Sequence, residues 1–357
     1  PVRGIFPMVK EAIKHGAVRI VVPWANALEA LVAADGEVQV CAVGHLADAV
    51  RGLNTHDWPD VRLPPFVPTV DDVDMADVKG HADVKYALTV AAAGGHSLLL
   101  VGSPGTGRTM LARRLASIMP PLSAMEQVEV AVVQSAAGLL REDCPLSVHR
   151  PFRAPHHTCS DVALVGGGPM LRPGEVTLAH NGVLFLDDLP EYRRQTINSL
   201  QEPMRAGVVT LARAGETVTM PARFQLVAAA APCPCGYRGH PWRKCECTEA
   251  AVKAYRRRIA LPFDLVVEVL PADADGPAGP SSAELRQTVV EARERLSRGA
   301  PQLLNVAHEC MEHYDMRQYP GAVGVARTVA CVNGTRLVND DHIHKALELQ
   351  GRGVWPE

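Results

Sequence analysis

A chain of 357 residues has material for two or three domains with real cores, and 47% hydrophobic with 21% charged residues is a globular composition. The formal charge of -3 excludes a globally basic nucleic-acid binder, so any such contact has to come from local patches. No apolar run approaches the roughly 20 residues that span a bilayer, which speaks against a membrane protein. The opening PVRGIFPMVKEAIKHG has scattered lysines, no signal-peptide hydrophobic stretch and no initial methionine, as expected of a partial or trimmed chain. Four of the 9 cysteines crowd into one short loop, unlike a small secreted scaffold, and the expected compartment is a reducing cytoplasm.

In chain order, the pattern predicts a helix over Met8–Gly16, a strand over Val18–Val22 and a helix over Ala25–Ala33. A strand over Val38–Ala42 and a helix over Leu46–Arg51 follow. This alternation indicates an α/β layer that begins in mid-pattern, over 1–56. Residues 57–74, with the proline-rich DWPDVRLPPFVPTVDD, read as a linker. A second α/β unit occupies 75–270, and 271–282, with PADADGPAGPSS, reads as another linker. Helices over Ala283–Ser297, Pro301–Glu312, Ala322–Asn333 and Asp341–Gln350 then make a small helical domain, 283–357. No internal repeat is present.

Inside the second unit, HSLLLVGSPGTGRTMLARRLA has the layout of a phosphate-binding loop: strand, glycine-rich turn, helix. The turn comprises Gly102, Ser103, Pro104, Gly105, Thr106, Gly107, Arg108 and Thr109. Its glycines let the backbone curl so that N–H groups face phosphate oxygens, and the helix from about Arg108 adds its positive end. Thr109 offers a hydroxyl to magnesium. Glycine-rich turns also occur without ligands; the strand before and the threonine after favour nucleotide. Arg108 stands where lysine is usual, keeping the charge but bringing a wide planar fork, so phosphate binding survives and transition-state placement suffers. Downstream, NGVLFLDDLPE holds an apolar strand, Val183–Leu186, ending in Asp187 and Asp188. The first acid can hold magnesium, directly or through water, and the second can orient an attacking water.

The loop CPCGYRGHPWRKCEC carries Cys233, Cys235, Cys245 and Cys247 as two C-x-C pairs, able to place four thiolates round a tetrahedral zinc. A four-sulfur iron site has the same ligands; free thiols, or disulfides in an oxidising setting, are the non-metal readings. Zinc is favoured because nothing here suggests redox chemistry, and its role would be structural. His240 is a spare candidate, expected exposed and unliganded. The other cysteines read as packing residues. His156 and His157 of RAPHH are expected to point apart and to serve structure or an interface rather than a metal. Tyr237 and Trp242 interleaved with Arg238, Arg243 and Lys244 suit nucleic-acid stacking with phosphate contact, or simply a solvated loop.

The segments RPFRAPHHT, LVGGG, RPGEVTLAHNGVLFLD, PARFQLVAA and PCPCGY, in this order, resemble the YifB/ComM-type, magnesium-chelatase-like AAA+ proteins, over almost the whole chain. The resemblance implies an α/β fold: a P-loop AAA+ three-layer core, a C-terminal helical lid and a partial Lon-like N-terminal domain. It also implies ATP with Mg²⁺ held at the subunit interfaces of a homo-oligomeric ring, usually a hexamer, and DNA remodelling of the branch-migration kind. Relatives that power metal insertion into a porphyrin give an alternative, and a non-catalytic ring subunit or scaffold gives another. By this likeness Gly102–Thr109 binds phosphates, Asp187 binds magnesium, and Asp188 replaces a catalytic glutamate one methylene longer. The family's AAMNP reads AAAAP here, placing Ala231 at the γ-phosphate-sensing asparagine. SGPLLDRIDL is shortened to ALPFDL around Pro262 and Asp264, and its arginine finger has no counterpart, although Arg256, Arg257 and Arg258 lie nearby. RVART reads GVART, so Gly324 replaces a sensor arginine while Arg327 remains. An arginine finger alone is worth about 10³–10⁵ in rate, so slow hydrolysis is expected. GVVTLARAGETVTMPARF reads as a hairpin, Val208–Ala212 and Thr217–Met220 around a turn near Gly215, and in related rings such a hairpin points into the pore. Arg213 near its tip would then meet a nucleic-acid backbone.

Overall fold

A computed structural model describes residues 1–58, 73–141, 144–213, 216–259, 261–271, 279–303 and 321–351. The first α/β layer is α1 (Ile5–Lys14), β1 (Arg19–Pro23), α2 (Ala27–Ala34), β2 (Gln39–Val43) and α3 (Leu46–Thr55), with the two strands paired in parallel. The first helix starts three residues earlier than Met8, because Pro7 falls in its first turn, where no backbone donor is required. This layer shares its core with a helix of the following unit: Ile5, Phe6 and Val9 cluster with Ala131. A polar bridge runs alongside, from the Phe6 N–H to Ser135 Oγ at 3.2 Å and from Ser135 Oγ to Glu29 Oε1 at 2.5 Å. Most of the proline-rich stretch at 57–74 and of 271–282 lies outside the described residues.

The second unit is built on α4 (Ala82–Gly94), β3 (Leu98–Gly102), α5 (Arg108–Ile118), α6 (Ala124–Ala137) and β4 (Phe152–Arg153). Two short strands, β5 (Gly166–Gly167) and β6 (Arg172–Pro173), pair with each other, and β7 (Val183–Leu186) follows. Then come the antiparallel hairpin β8 (Val208–Arg213) and β9 (Glu216–Pro221), β10 (Gln225–Ala230) and β11 (Leu265–Val269). The central sheet is parallel throughout, in the order β11-β3-β10-β7-β4.

Both faces of this sheet are covered, so its strands read as unbroken apolar runs rather than alternating ones. Successive side chains nevertheless go to opposite layers. Leu98, Leu100, Val183, Phe185, Val227 and Ala229 join α4, α5 and the C-terminal helices. Leu99, Val101, Leu184, Leu186, Leu226 and Ala228 join the layer of Leu164, Val176, Leu189 and Ile197. That is the expected three-layer α/β arrangement.

Three C-terminal helices, Ser282–Ser297, Ala322–Val332 and Asp340–Leu349, lie close to their predicted bounds. The start of the helix expected over Pro301–Glu312 is instead a strand. Gln302 and Leu303 pair in parallel with Leu337 and Val338, and this ladder takes up the backbone groups that a helix would have used. Positions 304–312 of that expectation, and the hairpin turn at 214–215, lie outside the described residues. Among the described residues no helix is long and apolar enough to cross a membrane.

Candidate functional site

The glycine-rich turn lies at the carboxyl end of β3, between β11 and β10, at the end of the sheet where open parallel sheets place their ligands. Gly105 and Gly107 have φ of +85° and +86°, a left-handed backbone that side chains resist. Gly102 is required for another reason: a Cβ there would stand 2.5 Å from the Val269 carbonyl oxygen of β11. Thr106 closes the turn on itself, donating its hydroxyl to the Ser103 carbonyl at 2.9 Å. Pro104 and Gly105 remain exposed at the apex.

Two side chains at the start of α5 face the two acids after β7. Thr109 Oγ1 donates to Asp187 Oδ2 at 2.7 Å. Arg108 Nη2 lies 3.6 Å from Asp188 Oδ1, with the arginine side chain 11% exposed and its Nη1 buried without a hydrogen-bond partner. That orphaned donor beside the turn suits an anionic oxygen. Asp188 itself has φ of +48°, and its N–H donates to Asp187 Oδ1 at 3.0 Å, so one carboxylate organises the other.

Tyr255 also belongs here, and sequence reasoning missed it. It comes from the helix Glu249–Arg256, and the backbone N–H of Ala231 favours its ionised form. Burial drives its ionisation up to about 12, and the charges of Glu191, Asp188 and Arg108 also act on it. The AYRRR run drew attention to its arginines. Of those, Arg258 pairs with Glu191 at 3.7 Å.

Asp264 serves the fold: its Oδ2 accepts from Ser97 N at 2.8 Å and Ser97 Oγ at 2.9 Å at the amino end of β11. Gly324 is exposed on its helix, and a Cβ there would meet nothing within 4 Å. Arg327, one turn on, has its Nε buried without a hydrogen-bond partner.

The four cysteines of the 233–247 loop converge. Cys233 Sγ lies 3.4 Å from Cys235 Sγ and 3.6 Å from Cys245 Sγ, Cys235 lies 3.6 Å from Cys245, and all four sulfurs fall within 4.8 Å of one another. A zinc with Zn–S of about 2.3 Å spaces its sulfurs about 3.8 Å apart, so the donor set fits a closed tetrahedral ion. Its protons are unevenly held. The backbone N–H of Tyr237 helps bring Cys235 down to about 6. Cys247 goes the other way: the Cys235 N–H favours its thiolate, yet burial and the neighbouring cysteines push it up to about 12. Four thiolates cannot gather there without a cation. His240 stands apart, its Nδ1 accepting from the N–H groups of Trp242 and Arg243 at 3.2 and 3.1 Å. The loop touches the phosphate turn directly, since a Cβ on Gly236 would come within 2.9 Å of Pro104 Cδ.

Residues 74–274 match the family described as magnesium chelatase, subunit ChlI. The chain is 34% identical to the competence protein ComM of Haemophilus influenzae, over 97% of this chain and 74% of that one. It is 42% identical to an uncharacterized protein of Mycobacterium tuberculosis, over 82% of this chain and 59% of that one. With YifB of Salmonella typhimurium the identity is 38%, over 78% and 60%.

The chain belongs to the magnesium-chelatase family.

Within it the likeness is to the YifB/ComM group, and the parallel sheet carrying the glycine-rich turn is the P-loop AAA+ core. The 38 kDa magnesium-chelatase subunit of Rhodobacter capsulatus is more distant, at 24% identity over 76% of this chain. The chain spans about 59–60% of the length of the mycobacterial and YifB relatives. Around this family frame the remaining candidates separate. Arg213 ends β8, exposed, opposite Glu216. His156 and His157 do not point apart as expected: their rings lie 4.1 Å apart, tilted by 34°, because a turn, held by His156 Nδ1 against Thr158 Oγ1 at 2.9 Å, brings them together. His157 meets the edge of Tyr192, so the pair packs, and among the described residues only the four cysteines group as metal ligands. In the basic loop, Arg243 already covers the Tyr237 ring at 4.9 Å, Arg238 pairs with Glu249 at 2.9 Å, and Trp242, 79% exposed, meets the His240 ring edge to face.

Proposed function

We propose that this protein binds ATP with Mg²⁺ at Gly102–Thr109 and hydrolyses it slowly, as one subunit of a homo-oligomeric ring, hexameric by family likeness, that acts on DNA in the cytoplasm. The observation that carries the nucleotide reading is the 2.7 Å bond between Thr109 Oγ1 and Asp187 Oδ2, which brings together the hydroxyl and carboxylate that a magnesium ion uses beside a phosphate loop. The turn's N–H groups and Arg108 Nη1 would take phosphate oxygens. Thr109 and Asp187 would hold the magnesium, whose charge offsets that on the phosphates. Asp188 would orient the attacking water, a task made harder by its pairing with Arg108. The cysteine centre would hold a structural zinc that fixes the loop between Ala231 and Tyr255.

The DNA reading rests on the likeness to the competence protein and on exposed Arg213 at the end of β8. A non-catalytic nucleotide-binding subunit or scaffold is the second reading, favoured by Ala231, which offers no polar side chain where one would sense phosphate. A metal-insertion motor, as in the chelatase subunits, fits the P-loop equally but gives the cysteine loop and the Lon-like front no task. Paired measurement of nucleotide binding and steady-state hydrolysis, with and without DNA, tests the proposal. Binding with slow, DNA-responsive turnover supports it; binding with no turnover under either condition favours the scaffold; no binding overturns both. For the hairpin, Arg213→Ala is expected to weaken DNA binding about equally across sequences and to flatten its salt dependence.

A further inference from the structure

At the opposite end of the sheet from the phosphate turn, a cleft of about 450 Å³ opens beside the amino ends of β3, β7 and β10. Four arginines line it: Arg150, Arg205, Arg223 and Arg293. Among the described residues no carboxylate does so. In a chain of net charge -3 this concentration of one sign is not a consequence of composition.

The four divide into a fixed floor and a free rim. Arg150 is anchored from several directions. Its Nη1 and Nη2 donate to Glu126 at 3.0 and 3.2 Å, its Nε to the Pro120 carbonyl at 2.7 Å, and its Nη1 also to the Asn181 carbonyl at 2.7 Å. Arg293 donates through Nε and Nη2 to the Ala92 carbonyl at 3.1 and 2.7 Å. Burial, and then the positive charge of Arg150, lower its guanidinium ionisation to about 10, with the charge of Glu126 opposing. Arg205 and Arg223 are exposed at the rim, and among the described residues neither makes an ion pair or a side-chain hydrogen bond. Of the nearby acids, Glu126 is engaged by Arg150, and Glu129 by Asn181 Nδ2 at 2.8 Å and His180 Nε2 at 3.2 Å, with the charge of Arg223 also acting on it.

We propose that this cleft is a binding site for phosphate groups, with Arg205 and Arg223 closing on the ligand against the floor made by Arg150 and Arg293. Guanidinium forks match phosphate oxygens two by two, and a convergent set of them is the arrangement that favours phosphate over a single carboxylate. The cleft lies at the root of the β8–β9 hairpin, since Gly207 precedes β8 and Ala222 follows β9, and both line it. Its ligand is therefore a chain of phosphates, supplied either by a nucleic-acid backbone running down from the hairpin or by a free polyphosphate. The nucleic-acid source rests on the DNA reading above; the site itself does not.

The test uses the whole chain and two probes, inorganic tripolyphosphate and a single-stranded DNA oligonucleotide, on the unmodified protein and on Arg205→Ala/Arg223→Ala. Both side chains are exposed, so thermal stability is expected to be unchanged, and affinity for labelled ATP at the P-loop serves as a separate readout. The double substitution should weaken at least one probe tenfold or more while leaving ATP affinity within twofold. Loss confined to DNA, with the salt slope falling by about 2, identifies the backbone as the source. Loss confined to tripolyphosphate identifies a free polyphosphate. Lysine at both positions should restore part of the affinity, because charge returns without the fork. If neither probe binds the unmodified chain, or both bind the double variant as well as the parent, the proposal is overturned. Arg213→Ala, which lies outside the cleft, tells failure of the hairpin reading from failure of this one.

Discussion

The phosphate turn and the cysteine loop touch at Pro104 and Gly236, yet they have kept different things. In the phosphate turn the backbone is intact: two left-handed glycines, a glycine under the Val269 carbonyl, and a helix starting at Arg108. Its side-chain chemistry is altered, with Arg108 drawn toward Asp188 and no polar group on Ala231. In the cysteine loop all four side chains converge, and their spacing is that of a single ion. Backbone donors suffice to bind phosphate, whereas hydrolysis needs particular side chains at particular points. The difference therefore separates binding from turnover in one region and predicts full function in the other.

The largest effect should come from breaking the cysteine side. Elemental analysis of protein purified under reducing conditions should give one zinc per chain, and Cys245→Ser should remove it and expose 233–247 to protease while the P-loop core stays folded. Cys245 and Cys247 both resist ionising, so each must give up a proton to a metal. Zinc affinity should accordingly drop by at least about a hundredfold for each unit that pH falls, and a pH-independent affinity would contradict four thiolate ligands. On the other side, Gly107→Val forces a branched residue to φ of +86°, and it should weaken ATP binding more than tenfold. Unchanged binding would show that the backbone is not what holds phosphate.

The contact between the regions gives a smaller effect. Gly236→Ala places a Cβ 2.9 Å from Pro104 at a left-handed position, so ATP affinity should fall roughly threefold to tenfold with zinc still bound. Equal ATP affinity in that variant would make the two regions independent. The smallest change is expected from Tyr255→Phe, which removes the hydroxyl whose ionised form the Ala231 N–H favours and should shift ATP affinity by a factor of about 2–10 without changing the fold.

Much of this frame is legible in the sequence because it is local. The strand Val183–Leu186 and the helix starting at Arg108 fall where the pattern places them, since apolar runs and glycine punctuation act over a few residues. The pairing of Gln302 with Leu337 was not legible, because a two-residue ladder partner lies far along the chain. Tyr255 escaped for the same reason: Ala231 acts on it only after the cysteine loop has folded the intervening segment back. The arginine cleft is the extreme case. Its four guanidiniums come from positions 150, 205, 223 and 293, and only the sheet brings them to one end. In the candidate site the residue types were readable, but not the lean of Arg108 toward Asp188.

The central claim, that the phosphate turn binds but turns over poorly, is tested most directly on one sample of the unmodified chain. Equilibrium binding of a labelled ATP with Mg²⁺ and steady-state phosphate release, with and without DNA, should be measured in the same buffer. The account predicts saturable binding that Asp187→Asn weakens, with phosphate release far below that of an ordinary ATPase, roughly 1 s⁻¹ or more. Fast release by the unmodified chain would contradict it, and would mean that Arg108, Asp188 and Tyr255 do the work assigned here to the missing groups.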